Sequence, residues 1–233
     1  EGWDIAVHYR QSQAEAESLV QEIQALGQRA CALACDLSDQ AAVQRLIPDT
    51  IAALGQINCL VNNASLFQED NAGSFQQALL HSHMQVNLAA PILLAQALHQ
   101  ATLDGARACV INLLDQKLYN LNPDFLSYTL SKAALQCATT TLAQAFAPKL
   151  RVVGVAPGLT LEAASHTYAE FEAAHKISPL GKSSTPEDVA ATVCFVAANG
   201  SITGTTLLVD GGQHLLSLPR DVMHIVSTQP TLE

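Results

Sequence analysis

Short apolar runs alternate along the chain with longer stretches in which apolar positions recur at helical spacing. The runs Ile5–Tyr9, 30–35, 59–61, 108–114, 152–155 and Thr206–Val209 read as strands. Residues 14–26 read as a helix, with Leu19, Ile23 and Leu26 on one face and Gly27 as the stop. A second helix spans 39–54, striped by Val43, Leu46, Ile47 and Ile51. Residues 79–103 are helical with an interruption, and 125–147 make one long helix. The clearest signal is 185–198, where Thr185 can cap, Pro186 suits the first position, and Glu187 and Asp188 complement the positive end of the dipole.

Strands that are apolar throughout must be covered on both faces, which means parallel strands joined by helices. The expected class is α/β: a Rossmann-like, doubly wound parallel sheet forming a single domain over residues 1–217. Residues 218–233 read as a C-terminal tail without function, ending in Leu232-Glu233, which has the look of an expression scar. Ligands of such sheets bind beyond the carboxyl ends of the strands. Asn62-Asn63, Asp115 and Pro157-Gly158 fall at or just after the ends of apolar runs.

Composition narrows the partners. With 233 residues, 49% of them hydrophobic, the chain can bury one sizeable core. Only 14% are charged and the formal net charge is -10, so nucleic acid and anionic lipid are repelled. No apolar run reaches membrane-spanning length, residues 1–10 do not read as a signal peptide, and the expected location is the cytoplasm. Cys31, Cys35, Cys59, Cys109, Cys137 and Cys194 are scattered without a metal-type pair and read as reduced, buried and structural. His81 and His83 read as helix-surface residues, and no metal is expected.

The chemistry centres on Tyr128 and Lys132, four apart on one helical face. A phenol near its ordinary pKa of about 10 is a sluggish acid or base at neutral pH, and an adjacent ammonium favours the phenolate. Taken alone, the spacing also fits a solvated tyrosine beside a surface lysine. Asp115 sits at the carboxyl edge of the sheet, and Asn87 is an odd choice in a helix otherwise rich in Leu and Ala.

These residues resemble the short-chain dehydrogenase/reductases over nearly the whole chain. The resemblance rests on Asp36-Leu37, Asn62-Asn63-Ala64, Asn87, Tyr128-x-x-x-Lys132, Pro157-Gly158 and Asp210-Gly211-Gly212, in that order. Most of the family has a serine where this chain has Asp115. That exchange, with His8-Tyr9 and Asn63-Ala64-Ser65-x-Phe67, is similar to the pteridine reductase branch, and residues 210–215 resemble its bacterial dihydromonapterin/dihydrofolate reductase-type members. The resemblance implies hydride transfer from NADPH to a pterin, with a proton relay through Asp115, Tyr128 and Lys132. A serine hydroxyl would polarise a ketone, whereas reducing a C=N bond requires a proton at a ring nitrogen. An Asp–Tyr pair can relay one if burial raises the carboxyl's pKa. By resemblance, Lys132 also holds the nicotinamide ribose, Asn87 positions a water, and Phe67 stacks on the pterin beside Ser65.

The expected cofactor contacts are His8, Arg10, Ser12, Asp36, Leu37, Asn63, Ala64, Tyr128, Lys132, Pro157, Gly158 and Leu159. No acid follows the Ile5–Tyr9 run to take a ribose 2′-hydroxyl, while Arg10 and Ser12 can hold a 2′-phosphate, which favours NADPH. Residues 159–178, with His166 and Tyr168, are the expected substrate loop. A homotetramer packed through 88–103 and 125–147 is implied by the family alone. Two alternatives stand beside this reading: a carbonyl reductase of the same fold, and a non-catalytic ligand-binding or scaffold protein. The second is motivated by an absence, since no Gly-x-x-x-Gly-x-Gly occurs in the sequence. The family's first strand and its phosphate-cradling turn have no counterpart, which implies about 25 upstream residues in the natural protein or a variant site. Without that central strand, a gap in the hydrogen-bond ladder is expected.

Overall fold

The computed structural model describes residues 1–162 and 167–227. Its first half runs β1 (Ile5–Tyr9), α1 (Gln13–Ala25), β2 (Ala30–Ala34), α2 (Gln40–Leu54), β3 (Cys59–Asn62), α3 (Gln77–Met84), a π-helical turn Gln85–Ala89 and α4 (Ala90–Ala101). Its second half runs β4 (Ala108–Leu113), α5 (Leu126–Phe146), β5 (Leu150–Pro157), α6 (Tyr168–Ile177), α7 (Pro186–Ala198), β6 (Thr206–Val209) and α8 (Val222–Ser227). The π turn is the expected interruption of the 79–103 helix. The fold is Rossmann-like, with helices on both faces of parallel strands. Ala95 and Leu98 of α4 and Ala143 of α5 pack on Val110 and Val152, while Val196 of α7 packs on Ile111 and Val153. Among the described residues no helix is long and apolar enough to cross a membrane.

Four features depart from the expectations. Strand β5 starts two residues before and ends two residues after the apolar run 152–155, because both flanks still pair with β4 or β6. The loop 159–178 contains α6, started by a capping box between Thr167 and Glu170; His166 lies outside the described residues. The supposed tail from 218 is part of the domain through α8, since Val222 and Met223 pack on Ala174, Leu159 and Ile177. Leu232 and Glu233 lie outside the described residues. Among single residues, His83 is fully buried rather than on a surface, and Cys137 is exposed rather than buried.

The strands do not form one sheet. β1 pairs in parallel with β2, and β3, β4, β5 and β6 pair in parallel in that order. Between β1 and β3 lies a slot of about 720 Å³, lined by Ile5, His8, Cys59, Val61 and Leu94 among others. This is the gap expected in the ladder. The two parts are joined across it by packing, with Cys35, Val43 and Ile47 meeting Ala90 and Leu94 in one buried cluster.

Candidate active site

Asp115 leaves the end of β4 in extended backbone, φ -154° and ψ 140°. One carboxylate oxygen accepts from the Lys117 amide at 2.8 Å, and the other accepts from the Tyr128 hydroxyl at 2.8 Å. Tyr128 lies in the first turn of α5 and is 6% exposed. One turn on, Lys132 is buried, and its ammonium donates to the Leu113 carbonyl at 2.7 Å. The ammonium stands 5.8 Å from the Tyr128 ring centroid.

Burial dominates the electrostatics. It raises the Asp115 carboxyl, although hydrogen bonds from Lys117 and Tyr128 and the charge of Lys132 pull the other way. It raises the Tyr128 phenol well above its ordinary value, and the adjoining Asp115 carboxylate adds to the shift. It lowers Lys132 from the ordinary 10.5 to about 8, against the opposing charge of Asp115. For Tyr128, burial and the Asp115 carboxylate act in the direction opposite to that expected of an adjacent ammonium. Tyr128 and Lys132 are buried and Asp115 is half-buried beside them.

Asn87 sits in the π turn, buried, and every position of its side-chain amide is used. Its oxygen accepts from the Leu66 amide at 2.8 Å and the Ser65 hydroxyl at 3.2 Å. Its nitrogen donates to the Leu66 carbonyl at 2.9 Å and the Ser131 hydroxyl at 3.0 Å. The side chain thus clamps the loop after β3, and any contact with a water falls to its backbone. The same loop is held by buried His83, whose Nε2 accepts from the Gln68 amide, and by buried Asp70. Asp70 accepts from the amide and hydroxyl of Ser127 at the start of α5. Phe67 rides on this anchored loop, half exposed, with its ring 4.7 Å from that of Tyr128 in an edge contact.

The expected cofactor residues line the carboxyl ends of the strands. His8 Nε2 lies 2.8 Å from the Cys35 carbonyl, and Arg10 and Ser12 are exposed in the turn after β1. Asp36 accepts from the amide and hydroxyl of Ser38, which hold its carboxyl below the usual range, and Leu37 packs in the joining cluster. Asn63 and Ala64 are exposed beside the slot. Pro157 ends β5, and any side chain at Gly158 would strike Ser183 and Gln213. The Gln213 amide oxygen accepts from the Leu159 amide at 3.0 Å. Asp115, Tyr128, Lys132 and Phe67 thus come together on one side of the slot, while Arg10 and Ser12 stand on the other.

Several residues around the centre were not singled out from sequence. Lys117 is buried, donating to Asn122 and pairing with Asp221 at 3.2 Å. Asp124 binds the Arg220 guanidinium and the Asp221 amide. Phe125 caps α5 in left-handed backbone, φ 56° and ψ 49°, a conformation that costs a bulky residue roughly 1–3 kcal/mol. Asp221 and Arg220, the charged partners of Lys117 and Asp124, lie about a hundred residues downstream, and no local pattern announces them. Gln213 was within reach, since it follows directly on Asp210-Gly211-Gly212.

Known proteins share this fold. The family model described as enoyl-(acyl carrier protein) reductase matches residues 1–214. The solved structure of FolM alternative dihydrofolate reductase 1 from Brucella suis, in complex with NADP, superimposes with a TM-score of 0.89 at 40% identity, over 92% of this chain and 86% of that one. Its counterpart from Brucella canis, complexed with NADP, gives 0.86 at 40% identity, over 92% and 85%. Among curated sequences, the 3-oxoacyl-[acyl-carrier-protein] reductase FabG of Staphylococcus epidermidis is 26% identical over 92% of this chain and 90% of its own length.

Proposed function

This chain belongs to the short-chain dehydrogenase/reductase family, and from that premise we propose that it is an NADPH-dependent reductase of dihydropterins. It is an oxidoreductase of the family's nicotinamide-dependent kind. The observation that carries the finer reading is the 2.8 Å hydrogen bond from buried Tyr128 to half-buried Asp115. A carboxyl raised by burial and a protonated phenol form a donor pair suited to a ring nitrogen. The 40% identity to two FolM enzymes crystallised with NADP supports it.

The residues present fit the two ends of NADPH. Arg10 and Ser12 would hold the 2′-phosphate, and residues 8–12 at the end of β1 include no acid. Lys132 and Tyr128 would hold the nicotinamide ribose, with Asn63, Ala64 and the Pro157-Gly158-Leu159 turn around them. A glycine-rich turn for the pyrophosphate is not among the described residues. The cofactor supplies the hydride. Asp115 and Tyr128 hold and deliver the proton, Lys132 supports them with its charge, and Ser65 and Phe67 face the substrate. A homotetramer packed through α4 and α5 belongs to the same reading.

Kinetics with dihydrobiopterin, dihydromonapterin and simple ketones, followed by NADPH absorbance in the full-length protein, tests the assignment. Dihydropterins should be consumed, and Tyr128→Phe should lose at least about 100-fold in turnover while still binding NADPH. Turnover of ketones but not pterins would sink the pterin reading in favour of a carbonyl reductase, which the similarity to FabG favours. Unchanged turnover in Tyr128→Phe would remove that residue from the mechanism.

A further inference from the structure

Three rings stand in a column beside the proposed proton donor. His224 of α8 stacks on Phe125 at 6.0 Å and 15°, and Phe125 stacks on Phe67 at 4.4 Å and 18°. Phe67 then meets Tyr128 edge-on. Phe67 is 52% exposed even though Phe125 stacks on one of its faces and Tyr128 meets it at a right angle. The middle ring of the column is the most firmly held. The Lys117 ammonium lies 5.3 Å from the Phe125 centroid, and the amide and hydroxyl of Thr129 both donate to the Phe125 carbonyl. On its two sides, Asp70 binds the backbone of Leu126 and Ser127, and Arg220 and Asp221 bind Asp124. An aromatic residue in left-handed backbone persists only where its surroundings over-determine it.

We propose that Phe125 is a positioning residue: its ring presses on one face of Phe67 and thereby sets the other face for a flat substrate ring. The column rests on the reading above in taking that ring to be a pterin. Its own content is that substrate stacking depends on a residue that need not touch the substrate. Lys117 links the two halves of the site, because its amide holds Asp115 while its ammonium covers Phe125. An aromatic contact of this kind is worth about 0.5–1.5 kcal/mol beyond burial, or about 2- to 13-fold in affinity.

The test compares Phe125→Ala and Phe125→Tyr with wild type in the full-length protein, measuring KM and kcat for dihydrobiopterin with saturating NADPH. Phe125→Ala should raise KM by about 5- to 10-fold while kcat falls less than about 3-fold, and Phe125→Tyr should restore KM. An unchanged KM in Phe125→Ala overturns the proposal. So does a parallel fall of kcat and melting temperature that tyrosine does not rescue, since that marks a purely structural role. A wild type inert toward every dihydropterin would instead overturn the pterin reading, and the ring contact is then judged by fluorine NMR of fluorophenylalanine-labelled protein. The Phe67 resonance, assigned by its loss in Phe67→Leu, should move toward the solvent position in Phe125→Ala and stay shifted in Phe125→Tyr. A resonance indifferent to Phe125→Ala overturns the proposal on its own.

Discussion

Burial holds Lys132 near 8, and two consequences of opposite sign follow. The ammonium is lost as pH rises through about 8, so turnover should be flat on the neutral side and fall through that region. A plot of log kcat against pH checks this, read as the titration of a coupled group rather than of one residue. Stability runs the other way. The unfolded chain binds more protons between about 8 and 10.5, so the fold gains stability as pH rises through that window. Below it, the full cost of burying the charge applies, on the order of 3 kcal/mol. Lys132→Met should therefore abolish turnover yet melt higher than wild type at pH 7, as a thermal scan would show. A lower melting point would mean that the bond to the Leu113 carbonyl outweighs the buried charge. Spacing along a helix made the pairing of Tyr128 with Lys132 legible in the sequence. It could not reveal that the carboxylate thirteen residues earlier would press on the phenol more strongly than the lysine does, since that depends on how β4 meets α5.

Helix α5 has a start that its own sequence does not supply. Phe125 at the cap position has no side-chain oxygen to offer, and the Leu126 and Ser127 amides are met by Asp70, from the loop after β3. Cap removal typically costs about 1–2 kcal/mol, and a protein of this size loses about 2–4 °C per kcal/mol. Asp70→Ala should thus lower the melting temperature by about 2–8 °C and raise KM for the substrate as well, because the loop carrying Phe67 loses an anchor. A drop in stability with KM unchanged would separate the cap from the site. Helices whose stripe and cap lie within the same stretch, such as α2 and α7, were readable in advance. In α6 the acids dilute the stripe, although Thr167-x-x-Glu170 is a legible cap. No pattern marks α8, because Val222 and Met223 find their apolar partners near residues 159 and 174. Asn87 could be picked out as a misfit among Leu and Ala, but its clamp on Leu66 joins segments 21 residues apart and exists only in the fold.

At the level of the whole molecule, six apolar runs sufficed to foresee a parallel, two-faced sheet, and the missing glycine turn foretold a break in it. The expected cofactor contacts are divided between the two groups of strands. Arg10 and Ser12 belong to the part built on β1 and β2, whereas Tyr128, Lys132 and Pro157 belong to the part built on β3 to β6. Across the slot, the buried cluster of Val43 and Ile47 with Ala90 and Leu94 fixes how the two parts face each other. On the proposed contacts, a dinucleotide gripped at both ends would report on that alignment. Binding and packing are then reciprocal: whatever loosens the cluster weakens the cofactor, and the cofactor restores by mass action what loosening removes. Ile47→Ala should lose about 2–5 kcal/mol of stability and should also bind NADPH more weakly in calorimetry, although no cofactor contact is expected at residue 47. Saturating NADPH should recover part of the lost melting temperature. An unchanged Kd would show that the two parts are registered independently of that cluster. On this view affinity for the nucleotide is partly a property of the hydrophobic core, and core substitutions on either side of the slot become a way to tune it without altering a single polar contact.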